Sequence, residues 1–251
     1  MKKVDLKVPN KLSEITLGQY QKFSKILLKE PENDFLQKKM IEIFCGVPLS
    51  QVNFYKYSSI TNIVNVLSKM FEKTPELKQV FKMNGKEFGM IPKLDDMNFG
   101  EFVDLDTYAN DWEDMDKAMN VLFRPIISKY KKDYLIEDYT GELNYNMSKM
   151  PLDVALGAVF FFTQFKKRTH ETYSDLFTER VEENDFSAGT QFSKRWGWYS
   201  SLYQLSGSDP TKFERIENLN ISTCLTWLSF QKEKTELENK MIKDAKQRSS
   251  Y

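Results

Sequence analysis

Residues 84–125, NGKEFGMIPKLDDMNFGEFVDLDTYANDWEDMDKAMNVLFRP, decide how the chain is read, because a turn signal and two helical patterns follow one another there. Asn84-Gly85 between short apolar runs is the strongest short hairpin signal, since both residues tolerate the positive φ of a type I′ turn. Strands are therefore expected over Phe81 to Ile91, with Pro92 ending the second. Asp95 or Asp96 then caps a helix with Phe99, Phe102, Val103 and Leu105 on its core side. Asn110-Asp111 marks a junction, and Trp112, Met115, Ala118, Met119, Leu122 and Phe123 continue at helical spacing up to Arg124-Pro125. Between Asp95 and Asp116 nine residues are acidic and none is basic. Like charges one helical turn apart repel by roughly 0.2–0.5 kcal/mol per pair, so a basic neighbour is expected. Lys129, Lys131 and Lys132 are candidates for that counter-charge.

Working outward, the flanks are helical. Ser13 or Thr16 caps a helix through Leu17, Tyr20, Phe23 and Leu27, and Asp34 to Cys45 forms a second that ends at Gly46 before Pro48. Leu49 to Val52 is a short turn of helix, and Ile60 to Glu72 a longer one. Ser128 to Gly141 reads as an irregular, exposed connection. After Met150-Pro151, the run Leu152 to Phe165 forms a core helix that turns basic at Lys166, Lys167 and Arg168, a favourable end for the backbone dipole. Thr190 to Leu205 is an aromatic amphipathic helix, and Asn220 caps a last helix that is apolar to Phe230 and almost wholly polar beyond Gln231. No internal repeat or low-complexity tract is apparent. The expected fold is mainly α, a helical bundle-like domain with a small β-hairpin near residues 79–91. Its expected organisation is a helical region with the hairpin over 1–130, an irregular connection over 131–150 and a helical region over 151–251, with one continuous domain as the alternative.

Composition narrows the function classes. The 251 residues carry 36 Lys plus Arg and 36 Asp plus Glu, so no overall field draws the chain to nucleic acid or an anionic membrane. With 41% hydrophobic residues it can fill a core. MKKVDLKVPNKL lacks the apolar stretch of a signal peptide, and Val154 to Phe162 falls short of the ~20 apolar residues that span a bilayer. Two cysteines and one histidine exclude a Cys/His zinc centre.

No arrangement carries catalytic chemistry. Asp104, Asp106 and Asp111 do not follow the spacing of a calcium-binding loop, and His170 stands outside any metalloprotease or nucleophile pattern. Cys45 and Cys224 occupy apolar helix positions and are read as core. Trp196, Trp198, Tyr199 and Tyr203, with Lys194 and Arg195, fit a helix core with a charged rim better than a row that stacks on bases. No catalytic residue, cofactor or metal is therefore expected. The residues expected to make contacts are Asp104, Asp106, Asp111, Glu113 and Asp114 on the acidic side, and Lys129, Lys131, Lys132, Lys166, Lys167 and Arg168 on the basic side. On the final helix, Leu237 and Met241 stand four apart and offer a face for another subunit, with too few apolar positions for a long coiled coil.

Three stretches, VPNKLSEITLGQYQKF at 8–23, GKEFGMIPKLDDMNFGEFVDLDTY with AMNVLFRPI in the middle, and FSKRWGWYSSLYQLSGSDPTKFERIENLNISTCLTWLSFQKEK at 192–234, resemble tailed-bacteriophage proteins of morphogenesis gene blocks, including those of crAss-like and other Bacteroidetes phages. The resemblance runs through most of the chain and carries no catalytic residue. It implies a non-enzymatic part in building the virion, as a tail assembly chaperone or a ring-forming neck or tail component such as a head-tail connector. Its implied partners are other phage structural proteins and further copies of the chain in a ring. It implies a place in the host cytoplasm during assembly, or in the virion neck or tail. The alternative is a phage-encoded nucleic-acid-binding regulator or an enzyme of unknown reaction.

Overall fold

The structure, a computed structural model, describes residues 6–29, 34–131, 133–177 and 188–248. In chain order the first helices are α1 (Leu17–Leu27), α2 (Asp34–Cys45), α3 (Leu49–Val52) and α4 (Tyr57–Lys69), followed by strands β1 (Val80–Met83) and β2 (Lys86–Met90). Then come α5 (Phe99–Tyr108), α6 (Met115–Leu122), β3 (Phe123–Tyr130), β4 (Asp133–Ile136), α7 (Leu152–Thr172) and α8 (Ser174–Phe177). The remaining helices are α9 (Ala188–Leu205), α10 (Phe213–Glu217) and α11 (Ile221–Arg248). Helix, 3-10 turns included, makes up 65% of the described residues, so the fold is mainly α. The chain divides into two compact units, Met1–Pro92 with Asp104–Phe162, and Lys93–Val103 with Thr163–Tyr251. The 131–150 segment lies inside the first.

In the first unit the hairpin forms as its turn residues demand, with φ of 52° at Asn84 and 77° at Gly85, and Phe81 opposite Phe88. It is half of a larger element. The sheet has four antiparallel strands in the order β1-β2-β3-β4, with Met90 opposite Phe123 and Phe88 opposite Pro125. The helical pattern thus stops at Leu122 and passes directly into a strand. Residues 128–141, expected to be irregular, include the end of β3 and all of β4, with Lys131 at positive φ in the turn between them. Pro125 explains the misreading: a proline argues against a central strand because it donates no ladder hydrogen bond. Here its carbonyl still accepts from Glu137 N, at 3.0 Å. Phe81 stacks on Phe88 and meets Phe123 edge-on, both at 5.3 Å, and Tyr145 covers Phe88 at 5.2 Å. On the helical side, Ile41, Val47, Val52 and Ile60 form one buried cluster, with Cys45 packed against it.

Arg124 is 9% exposed and joins the sheet to the segment that follows. Its guanidinium donates to the carbonyls of Glu137 (2.7 Å) and Val121 (3.0 Å) and lies over the Tyr139 ring. Tyr145 Oη donates to Glu137 Oε2 at 2.6 Å.

The second unit has an aromatic core. Trp198 meets Phe99, Phe102 and Phe177 edge-on at 5.5–6.2 Å, and Leu202, Leu205, Ile216, Cys224, Leu225 and Leu228 are buried. Gly197, at φ 41° and ψ −125°, breaks the helical conformation inside α9.

Both units contain the same device, which the periodicity of the sequence does not disclose. Residues 11–20, KLSEITLGQY, align without gaps on residues 93–102, KLDDMNFGEF. Each begins with a single 3-10 turn, Leu12–Glu14 and Leu94–Asp96. Each then makes a reciprocal capping pair, Thr16 with Gln19 and Asn98 with Glu101. An isolated antiparallel bridge ties each to the start of a later helix, Thr16 to Pro151 and Asn98 to Asn220. In the first, Leu17 N donates to Met150 O at 2.8 Å and Leu152 N to Ile15 O at 2.9 Å; in the second, Phe99 N donates to Leu219 O at 2.8 Å and Ile221 N to Met97 O at 2.9 Å. The caps satisfy backbone donors that a helix start leaves open. The chain therefore contains a structural repeat, built on turn and cap chemistry rather than on a hydrophobic period.

Candidate interaction surfaces

The acidic stretch is taken apart by the fold. Asp95, Asp96 and Glu101 belong to the second unit, and Asp104 to Asp116 to the first. Glu101, only 5% exposed, is consumed by its capping pair, accepting from Asn98 N at 2.9 Å. Asp104 accepts from Tyr139 Oη. Asp106 is half-buried and its carbonyl accepts from Asn110 Nδ2. Asp111 is exposed and caps a 3-10 turn by accepting from Glu113 N at 2.9 Å. Glu113 pairs with Lys25 at 3.2 Å and Asp114 with Lys117 at 2.6 Å. Gln21 Nε2 donates to the carbonyl of Trp112 and to Asp116 Oδ1, each at 3.0 Å.

Among the described residues, the counter-charge of this stretch comes from Lys25 of α1 and Lys117 of α6, while Lys129, one of the lysines named for it, pairs elsewhere. β3 pairs with β2, which carries Lys129 to Glu87 at 2.7 Å. That hydrogen bond, with the charges of Lys129 and Lys82, holds the Glu87 carboxyl below its ordinary range. Lys131 is exposed, and Lys132 lies outside the described residues. On the second unit's part of α7, Lys166 is half-buried, Lys167 approaches Glu171 at 3.9 Å, and the Arg168 guanidinium lies 6.0 Å from the Phe165 ring. The described contact residues fall in separate places within the two units. Glu113, Asp114 and their partners make one charged cluster, and Arg168 lines a cleft of about 380 Å³ with Asp95, Thr169, Tyr173 and Ser222.

Elsewhere the candidate chemistry becomes packing. His170 stacks on Phe177 at 4.0 Å. Burial pushes the thiols of Cys45 and Cys224 up to about 11. Among the described residues, no group of three or more His, Cys, Asp or Glu could hold a metal ion, and no helix is long and apolar enough to cross a membrane.

The surfaces that stand out are apolar. On α9 the core reading fits Trp198 and fails for its neighbours: Phe192 (55%), Trp196 (41%), Tyr199 (52%) and Tyr203 (49%) are exposed. Gly197 breaks the helix between Trp196 and Tyr199, so their continuity rests on ring contacts rather than on helical spacing. The rings run on from Phe192 to Trp196 (6.4 Å), Tyr199 (5.6 Å) and Phe213 (5.5 Å), with the Arg195 guanidinium 5.2 Å over Trp196. α11 carries a second exposed apolar stripe through Trp227, Phe230, Leu237 and Met241. The apolar residues were visible in the sequence; their exposure was not, because periodicity marks an apolar face without saying what covers it. The chain matches no family model, no curated protein and no solved structure.

Proposed function

We propose that this chain is a non-enzymatic protein of tailed-bacteriophage morphogenesis, a tail assembly chaperone or a ring-forming neck or tail component, that works through protein–protein contacts. The exposed aromatic row on α9 carries the reading. Contiguous apolar surface on a folded protein marks a contact site, and Trp and Tyr are the side chains that most often dominate the binding energy of such sites. The occupant is an apolar segment of a phage structural protein, and the resemblance of the sequence to morphogenesis proteins supplies the class of partner. Within the first unit, the Lys25–Glu113 and Lys117–Asp114 cluster is a separate charged surface, worth little in affinity and more in orientation.

Deletion of the gene from its phage is expected to stop particles at tail or neck assembly. Trp196→Ala combined with Tyr199→Ala is expected to reproduce the defect while the purified variant melts like the parent protein. Normal infectious virions from the deletion would overturn the reading. Within it, presence in purified virions at about a dozen copies identifies a neck ring, and absence identifies a chaperone.

One observation favours a second reading. Exposed rings in series with Arg195 over Trp196 are also how single-strand binders hold successive bases. Salt-sensitive binding of unstructured oligonucleotides, lost in the same double variant, would establish it.

A further inference from the structure

α11 changes character along its length. Its first part packs in the second unit through Ile221, Cys224, Leu225 and Leu228. On the opposite side Ser222, Thr223, Thr226, Trp227 and Phe230 line a shallow groove of about 610 Å³. From Glu233 to Arg248 every residue is exposed, so this half has no burial within its own unit to sustain it. A helix of this length is marginal alone in water. Its Lys234–Glu238 pair, at 3.8 Å, runs in the less favourable order, with the base N-terminal to the acid. Leu237 and Met241 are 59% and 63% exposed, and they continue the face of the groove, since 223, 227, 230, 234, 237 and 241 recur every three or four residues.

We propose that α11 pairs antiparallel with α11 of a second copy of the chain, so that the exposed half of each helix lies in the groove of the other. The alternation of charge selects this direction. In a parallel pair Lys234 faces Lys234 of the second copy across the seam, and Glu233 lies beside Glu238. In the antiparallel pair Met241 packs on Phe230, and Leu237 packs along the methylene stem of Lys234, which keeps its ammonium in water. Glu233 then faces Lys240 on both sides of the two-fold axis, and opposite charges flanking a seam set the direction of helix pairing. The area suffices for a reversible dimer. Trp227, Phe230, Leu237 and Met241 each expose about 100 Å², half of the ~200 Å² of a large side chain, or roughly 800 Å² over two copies. The flanking stems raise this to the ~1,000 Å² that marks a specific interface. The pairing uses none of the α9 residues, so it extends the assembly reading to self-association without depending on it.

The test is the mass of the purified full chain by sedimentation over a wide concentration range. A monomer–dimer equilibrium with a dissociation constant on the order of micromolar is expected. Leu237→Asp and Met241→Asp should each weaken it more than about tenfold, with the thermal midpoint of the folded body unchanged because both sites are exposed, and any loss of ellipticity confined to the exposed half of α11. Ile242→Asp should leave it intact, since Ile242 is 53% exposed but lies off the seam. Glu233→Lys should weaken the dimer, and Glu233→Lys with Lys240→Glu should restore it. A chain that stays monomeric throughout, or a dimer indifferent to Leu237→Asp and Met241→Asp, overturns the pairing. Failure of the charge exchange to restore association overturns the antiparallel register. A monomeric result leaves the α9 reading intact, because that reading is scored by particle assembly.

Discussion

Gly157 separates two physical effects of opposite sign. It lies on α7, where replacing glycine by alanine in an unobstructed helix stabilises by about 1 kcal/mol. A Cβ at this position, however, would stand 2.7 Å from the carbonyl oxygen of Glu76, 3.2 Å from its carbonyl carbon and 3.3 Å from Leu77 Cα. All three are main-chain atoms, so no rotamer change relieves the contact. The 76–77 segment must move away, and it is tethered one residue on by the Lys78 ion pair to Asp153, which is 8% exposed. Forcing an extra carbon into a packed site costs about 1–3 kcal/mol. Set against the helix gain, Gly157→Ala should lose about 1 kcal/mol, with 2 as the upper end, and lower the melting temperature by about 2–8 °C at ~2–4 °C per kcal/mol. Urea and thermal melts followed by far-ultraviolet circular dichroism measure this directly, and Gly157→Val should lose more. A raised midpoint for Gly157→Ala would refute the reasoning, because helix propensity would then be the only effect at work.

Other consequences follow from single groups. Tyr145 donates to the Glu137 carboxylate, and this bond, aided by burial, pushes its phenol up to about 12. The folded state therefore holds that proton more tightly than the unfolded chain, which releases it near pH ~10. The stabilisation is complete below pH ~10 and fades as the pH rises through about 12. Tyr145→Phe should flatten that part of the stability profile measured by urea melts at stepped pH, and an unchanged profile would contradict the assignment. For the cysteines, a rise from 9.0 to about 11 leaves roughly a hundredfold less thiolate at neutral pH. A disulfide reagent should label both slowly in the native protein and rapidly in urea; rapid native labelling of Cys224 would contradict its burial. Lys25→Ala, which removes the exposed partner of Glu113, should change stability by less than about 0.5 kcal/mol, and a larger loss in urea melts would show that the acidic stretch depends on that pair.

The parts of the fold legible in the sequence are those whose cause is local. Asn84-Gly85 specifies its hairpin because only a few residues accept positive φ at two successive positions. Thr16, Asp111 and Asn220 announce helix or turn starts because their side chains cap the adjacent backbone. β3 and β4 were illegible for a non-local reason. FRPIISKY contains a proline, and its first three residues are all buried, so neither alternation nor composition marks a strand. What makes it one is the edge that β2 offers, more than thirty residues earlier. The charge pairing of the acidic stretch fails in the same way. Spacing within 95–132 pointed to the nearest lysines, whereas Lys25 and Gln21 reach Glu113 and Asp116 from the other end of the unit's sequence.

The repeated device shows why surfaces are harder to read than cores. KLSEITLGQY and KLDDMNFGEF share only Lys, Leu and Gly at equivalent positions, yet every difference preserves the physical role. Thr or Asn accepts at the cap, Gln or Glu reaches back, and a buried apolar residue follows at Leu17 or Phe99. Each role is enforced by an unsatisfied backbone group or an apolar surface inside the unit, so the repeat is recoverable once the roles are known. Among the described residues, Phe192, Trp196 and Tyr199 make ring contacts with one another and with Phe213, and with Tyr203 they stay exposed. Gly197 breaks the helix within α9, and Trp198, Leu202 and Leu205 fill the core while the other rings remain outside. Folding alone gives no reason for four large rings within twelve residues to stay in water. Since they are exposed rather than core-filling, polar residues at these positions would have been less costly to solubility. The same holds for the distal half of α11, where Leu237 and Met241 are exposed. A chain with balanced charge has no long-range field to bring partners in, so the proposed function places recognition on these short-range apolar faces, and the two faces are separable by mutation because each lies on a different helix.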